Sequence, residues 1–228
     1  MGILIAIEGT DSSGKQTQSE KLYKTLMDMG IPSRLVSFPA YDCDSSALVK
    51  MYLAGEFGDN PDDVNAYAAS TFYAVDRFAT FRKDWGKDYD NGTVIIADRY
   101  VPSNIIHQAS KIDDASEKEK FISWLLELEY GHLGLPCPDA TIFLDMPTEM
   151  AQKLMAERVN KIDNSDKKDI HERNSKYLKK SYNNAKDIAN ILGWSVISCV
   201  DCDGNVRDIS DISNDIRELA LSLISNNR

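Results

Sequence analysis

The stretch that most limits what this chain can fold into is Ile3 to Lys15. The apolar run Ile3–Ile7 (ILIAI) is followed by Glu8 and then by Gly9-Thr10-Asp11-Ser12-Ser13-Gly14-Lys15, which opens a segment of helical spacing. A short apolar run bounded by a glycine turn reads as a strand buried on both faces. Between residues 15 and 29, Leu22, Tyr23, Leu26 and Met29 fall on one helical face, and Gly30 supplies a stop. A strand turning through two glycines into a helix, with a lysine at the end of the turn, lets backbone N–H groups and a helix N-terminus cradle phosphate. Lys15 is then placed to reach the β and γ phosphates of a nucleotide such as ATP. Gly9, Thr10, Asp11, Ser12, Ser13, Gly14, Gln16 and Thr17 make up the rest of the cradle. The residue after such a lysine usually carries a hydroxyl that helps hold Mg²⁺. Here it is Gln16, so that role falls to Thr17 or to water.

Further apolar runs, each closed by a turn or breaker, read as strands at 33–38, 93–97, 140–146 and 194–199. Helical spacing is expected over 45–55, 62–85, 102–112, 116–132, 148–158, 170–192 and 210–225. The stretch from 159 to 169 is dense in Asp, Asn and Lys without apolar periodicity, and reads as an exposed loop. Buried strands alternating with helices imply an α/β fold with a parallel sheet covered on both faces and ligands at the carboxyl ends of its strands.

Composition narrows the partners. With 43% hydrophobic and 27% charged residues in 228, the chain suits one large globular domain. A formal net charge of −10 repels an extended polyanion, so nucleic acid is not expected as a partner. No run approaches the roughly 20 apolar residues of a membrane span. The apolar start lacks the length and basic flank of a secretory signal, so a cytoplasmic protein with reduced thiols is expected. Cys199 and Cys202 form a lone CxxC without neighbouring histidines, a weak zinc signal better read as incidental.

Two other places carry chemistry. Asp98 ends the apolar run TVIIA, where a carboxylate can hold Mg²⁺ or its waters, and Arg99 follows with a guanidinium fork suited to phosphoryl oxygens. Tyr73 and Arg77 share a helix face four residues apart, an aromatic beside a cation, fit to grip a nucleoside monophosphate. NKID at 160–163 and DCDG at 201–204 match GTPase motifs, but in the reverse order and the wrong context, and are read as chance.

The segments IAIEGTDSSGKQTQ, SFPAYD, MYLAGEFG, FYAVDRF, DRYVPSNIIHQ and LGLPCPDATIFLDM, in this order, resemble the thymidylate (dTMP) kinases. The resemblance implies a P-loop nucleoside monophosphate kinase fold over residues 1–228, with a five-stranded parallel sheet, helices on both faces and a mobile lid at about 157–170. It implies phosphorylation of dTMP by Mg-ATP, usually in a homodimer. Alternatives are a kinase for another monophosphate or a deoxynucleoside, or, in a different class, a P-loop regulatory NTPase. Carried over by position, Asp11, Lys15 and Arg99 act on the phosphates, with Asp11 and Asp98 near the metal. Phe38, Pro39, Tyr73, Arg77, Ser103, Asn104 and Gln108 belong to the dTMP site, and Tyr100 lies near the sugar, disfavouring a 2′-hydroxyl. Ala40, Tyr41 and Asp42 stand where many relatives have an arginine. No basic residue precedes Lys15 in the loop, which resembles members whose lid supplies it. Arg158, Lys161, Lys167 and Lys168 are candidates, with Arg158 favoured.

Overall fold

A computed structural model describes residues 1–159, 170–171 and 174–227, with the side chains of 156–159 outside that description. The candidate lid side chains Arg158, Lys161, Lys167 and Lys168, and the NKID match, thus lie outside the described residues.

The sheet has five parallel strands in the order β2-β3-β1-β4-β5. They are β1 (Ile3–Glu8), β2 (Ser33–Ser37), β3 (Val94–Asp98), β4 (Ala140–Asp145) and β5 (Ser195–Ser198). Successive side chains of a strand alternate between faces. Ile5 and Ile7 therefore enter one core with Leu22 and Leu26 of α1 (Lys15–Asp28) and with Ile212, Ile216 and Ile224 of the last helix (Ile209–Asn226). Leu4 and Ala6 enter the opposite core, with Trp85, Tyr100, Ile105, Phe121 and Leu125. Each fully buried Leu or Ile contributes about 1.5–3 kcal/mol, and β1 is apolar from Ile3 to Ile7 because it is buried on both sides.

Helix boundaries depart from the sequence expectation where local capping intervenes. Asn60 and Asp63 form a capping box that closes a separate turn at Pro61–Asp63, and Val64 is extended. The next helix therefore starts at Ala66 rather than at 62, with Asn65 as N-cap accepting from the Ala68 N–H. Helical structure also runs past Trp85, through a π-turn at Phe81–Trp85 to Asp90. Similarly, the helix expected from 170 begins at Ser175, capped by Asn174. These helices, in chain order after α1, are α2 (Ala47–Ala54), α3 (Ala66–Thr80), α4 (Gly86–Asp90), α5 (Val101–His107), α6 (Ala115–Leu126), α7 (Thr148–Val159), α8 (Ser175–Ile191) and α9 (Ile209–Asn226).

The order of strands reverses around β1. The chain leaves β1 for β2 at the edge, returns through β3, and crosses to β4 on the other side. Such a reversal opens a crevice at the carboxyl ends of the strands. Ile7 lies opposite Asp98 in the sheet register, so the loops after β1 and β3 leave side by side.

Candidate active site

The loop after β1 has the geometry of an anion cradle. Ser12 and Gly14 are both left-handed, with φ of 59° and 87°. Gly9 has no room for a side chain: a Cβ there would lie 2.4 Å from Ser13 Oγ and 3.2 Å from the Leu144 carbonyl. Helix α1 starts with no side-chain cap and no acid in its first turn, leaving its N–H groups and dipole for an external anion. Lys15 is buried, and its Nζ donates to the Thr10 carbonyl at 2.7 Å. Burial, then the charge of Arg99, pull its pKa down to about 8, against Asp11, Asp98 and Glu8. Gln16 donates to Glu20 at 3.0 Å on the exposed side of α1, and Thr17 is exposed too.

Arg99 follows β3 with a φ of 69°, unusual for a residue with a side chain. Two contacts hold this turn: the Arg99 N–H donates to the Ile7 carbonyl at 3.1 Å, and the Tyr100 N–H to Glu8 Oε1 at 2.8 Å. The guanidinium is thereby aimed at the phosphate loop, where Arg99 NH2 meets Asp11 Oδ1 at 2.5 Å. NH1 donates to His107 Nε2 at 3.1 Å. Burial alone would raise the Asp11 carboxyl, but Arg99, helped by Lys15, holds it well below the usual carboxylate range.

Glu8 lies behind this pair, fully buried. Besides Tyr100, it accepts from Ser103 Oγ at 2.6 Å. Burial pushes its pKa up to about 7, although these hydrogen bonds and the charges of Arg99 and Lys15 favour the carboxylate.

Beside the loop is a hollow of about 70 Å³, partly open to solvent. Its wall brings together Asp11, Phe38, Pro39, Tyr73, Arg77, Arg99, Ser103, Asn104 and Gln108, all candidates from sequence. The Phe38–Pro39 peptide is cis. Asp76 fixes this stretch by accepting from the Ala40 N–H at 2.8 Å and from Ser45 Oγ at 2.6 Å. Gln108 is buried, and its Oε1 has no partner among the described residues. Asn104 Nδ2 donates to the Ser70 carbonyl at 3.3 Å.

One expectation needs correction. Tyr100 does not line the hollow: it is fully buried among Phe38 and Trp85, and its hydroxyl donates to the Pro136 carbonyl at 3.1 Å. A phenol at the root of α5, facing the core, cannot meet a sugar. Arg77 lines the hollow as expected, with two of its three guanidinium nitrogens held by a carboxylate. Nε donates to Glu129 Oε2 at 2.7 Å and NH2 to Oε1 at 2.5 Å. A guanidinium this deeply buried needs a carboxylate partner, and Glu129, in the π-turn Glu127–His132 that follows α6, supplies it.

Sequence reasoning missed Glu8, Tyr41, Leu53, Glu129, His107 and His171. Tyr41, Leu53, His107 and His171 complete the wall. His171 comes from the short piece described beyond the candidate lid, where the Ile170 N–H donates to the Leu53 carbonyl at 3.2 Å and Ile170 is buried with Val49, Tyr52 and Ala69. Its Nε2 shares a 2.9 Å hydrogen bond with the Tyr52 hydroxyl, and burial pulls its pKa down to about 4. His107 had a signal in the sequence, four residues after Ser103 and so on the same helix face. Glu129 had none.

A phosphate loop after β1, a five-stranded parallel sheet ordered around it and an adjoining hollow lined by Asp11 and Arg99 define the class of P-loop nucleoside monophosphate kinases. The family model described as thymidylate kinase matches residues 7–203. A thymidylate kinase of Mycobacterium tuberculosis (strain ATCC 25618 / H37Rv) is 36% identical over 152 residues, 65% of this chain and 68% of that one. The Arabidopsis thaliana thymidylate kinase is 29% identical over 150 residues, 66% and 51% of the two chains. The human one is 28% identical over 153 residues, 67% and 65%. The chain belongs to the thymidylate kinase family.

Proposed function

We propose that the protein transfers the γ-phosphoryl group of ATP to dTMP, giving dTDP and ADP, with Mg²⁺ as cofactor. The observation that carries this is the hollow itself: one end is Asp11 of the phosphate loop, gripped by Arg99, so an acceptor phosphate there adjoins a donor phosphate on the loop. Transfer of this kind is a matter of position and charge rather than covalent chemistry on the protein. Lys15 and the N–H groups of the loop hold the donor, and Arg99 spans both phosphates. Asn104, Gln108 and Tyr73 frame the base, with Ser103 and the Phe38–Pro39 stretch around them. Among the described residues no group of three or more His, Cys, Asp or Glu could cage a metal. Mg²⁺ at such sites needs only one or two carboxylates beside phosphate oxygens and waters, so Asp98 and Asp11 fit as its protein ligands. An ion held there would neutralise charge on the donor phosphates.

The chain works as a single kinase domain, residues 1–228, whose lid at about 157–170 brings Arg158 to the transferred group. A homodimer follows from the family resemblance. Cytoplasmic residence is supported by its free cysteines, of which Cys43, Cys137 and Cys202 are exposed. Among the described residues no helix is long and apolar enough to cross a membrane.

The test is ADP formation with ATP and a panel of acceptors. ADP is expected only when an acceptor is added, with dTMP far ahead of dGMP and dAMP, whose purines overfill the hollow. dUMP, lacking one methyl, should trail by on the order of ten- to two-hundredfold in kcat/KM. Equal rates with the purine monophosphates would defeat the dTMP assignment, and ADP formed without any acceptor would defeat the kinase reading.

A further inference from the structure

His107 is a polar group in the wall of the hollow to which the proposed reaction assigns no role. It lies in the last turn of α5, is 93% buried, and joins the wall between Arg99 and His171. Its ring stacks over His171 at 6.2 Å with an interplanar angle of 16°, and over Tyr177 at 6.3 Å. The Tyr177 hydroxyl donates to its backbone carbonyl at 3.0 Å.

The hydrogen bond with Arg99 decides the chemistry of this ring. Arginine has donors and no acceptor. In the 3.1 Å contact Arg99 NH1 donates, and His107 Nε2 must accept. His107 is therefore neutral, with its proton on Nδ1. Burial and the positive charge of Arg99 act in the same direction and hold its pKa well below the ordinary histidine value, against Asp11. Nδ1 is itself buried, with no partner among the described residues. An unmet buried donor is a cost, and a phenylalanine would fill the same space and make the same ring contacts without it. Packing alone gives no reason for a histidine here. What phenylalanine lacks is the lone pair at Nε2.

That lone pair meets a guanidinium with much to fix. Arg99 carries a left-handed backbone, and its side chain is about one-fifth exposed in an open hollow. One branch, NH2, is tied to Asp11, and Ser103 Oγ is 3.5 Å from the other branch while giving its own proton to Glu8. Without His107 the NH1 branch has no close acceptor among the described residues. We propose that His107 is a positioning residue: neutral and fixed in one tautomer, it accepts from Arg99 and sets the plane of the guanidinium that the transferred phosphoryl group meets. A neutral acceptor suits this task, because a carboxylate at the same place would compete with phosphate for the arginine's charge.

The inference rests on the kinase reading, and its test separates the two. His107→Phe keeps the ring and removes the acceptor, while His107→Gln returns an acceptor oxygen. The expected result for His107→Phe is a kcat reduced ten- to a hundredfold, dTMP affinity at equilibrium within threefold of the parent, and a melting temperature unchanged or raised. His107→Gln should recover at least a third of the lost rate on a logarithmic scale. In an Arg99→Lys background, His107→Phe should cost less than threefold, since the guanidinium it positions is already gone. A His107→Phe protein with kcat within twofold of the parent overturns the proposal. So does a full loss that persists in the Arg99→Lys background, or a variant that fails to fold, which marks a structural role. If the parent protein forms no ADP with dTMP, the kinase reading fails instead.

Discussion

Arg77 and Arg99 line the same hollow, and each grips a carboxylate at 2.5 Å. Their surroundings separate them. Arg77 and Glu129 are 1% and 0% exposed, and the contact is bidentate. Arg99 and Asp11 are 22% and 17% exposed, joined through one branch, on a strained backbone. A sealed pair cannot exchange its partner, because baring either charge in the interior costs several kcal/mol. A half-open pair can: phosphate oxygens entering the hollow take over the donors that Asp11 now occupies. Left-handed φ at a non-glycine residue costs about 1–3 kcal/mol and persists where something else depends on it. On the proposed function the two pairs divide the work, one holding α3 against the turn that follows α6 and the other meeting the reacting groups.

The largest expected effect breaks or keeps this division at Arg99. Arg99→Ala should lower kcat by about 10³-fold, roughly 4 kcal/mol of transition-state stabilisation. Its urea midpoint should stay close to the parent's, since alanine keeps the backbone as it is and the lost ion pair is partly open to solvent. Near-normal turnover, or a large loss of stability, would erase the distinction. The next effect belongs to the sealed pair. Glu129→Gln leaves Arg77 charged and uncompensated, and should destabilise the fold by about 3–5 kcal/mol in urea unfolding. Replacing both residues together, as Arg77→Met with Glu129→Leu, should restore most of that loss. If Glu129→Gln is as stable as the parent but loses dTMP affinity, Arg77 is a ligand group and the comparison is wrong.

The two arginines also mark what the sequence could and could not say. Arg99 was legible because its setting is local: an apolar strand, an acid at its end, then the arginine, beside a glycine loop of equal clarity. The same logic found all five strands, whose apolar runs end at turns and breakers. Arg77 was legible as a residue of the hollow but its partner was not, because Glu129 lies 52 residues away, in the turn after α6, and only the packing of that turn near α3 joins them. His171 is a similar case, brought to the wall by Ile170 binding α2 and not by any motif. Helix starts at Ala66 and Ser175 shifted because Asn60 with Asp63, and Asn174, bind backbone N–H groups, a choice that periodicity does not register.

The smallest expected effect concerns the acid that holds the open pair in place. Glu8 is fully buried and its pKa is pushed up to about 7, from about 4.5 in a solvated chain. A carboxyl whose folded value is raised takes up protons more readily folded than unfolded between those two values. Its contribution to stability is therefore present below about pH 4.5 and is lost as pH rises through 7. Total stability will not show this cleanly, because His171, with a folded value of about 4, contributes in the opposite direction between pH 4 and 6.5. The difference between the parent and Glu8→Gln isolates it, since glutamine keeps the shape and acceptor oxygen but does not titrate. Glu8→Gln should gain on the parent by about 2 kcal/mol between pH 5 and pH 7, within the 1.36 kcal/mol allowed per pH unit. Turnover should respond differently. The Ser103 hydroxyl and Tyr100 N–H both donate to Glu8, and one amide oxygen holds them less well than two carboxylate oxygens. A several-fold fall in kcat at pH 8, with dTMP affinity kept, is expected from the loosened turn at Arg99. A stability difference that is flat from pH 5 to pH 7 would mean that Glu8 does not carry the buried charge, and that the turn at Arg99 is held by the sheet register and the Ile7 carbonyl instead.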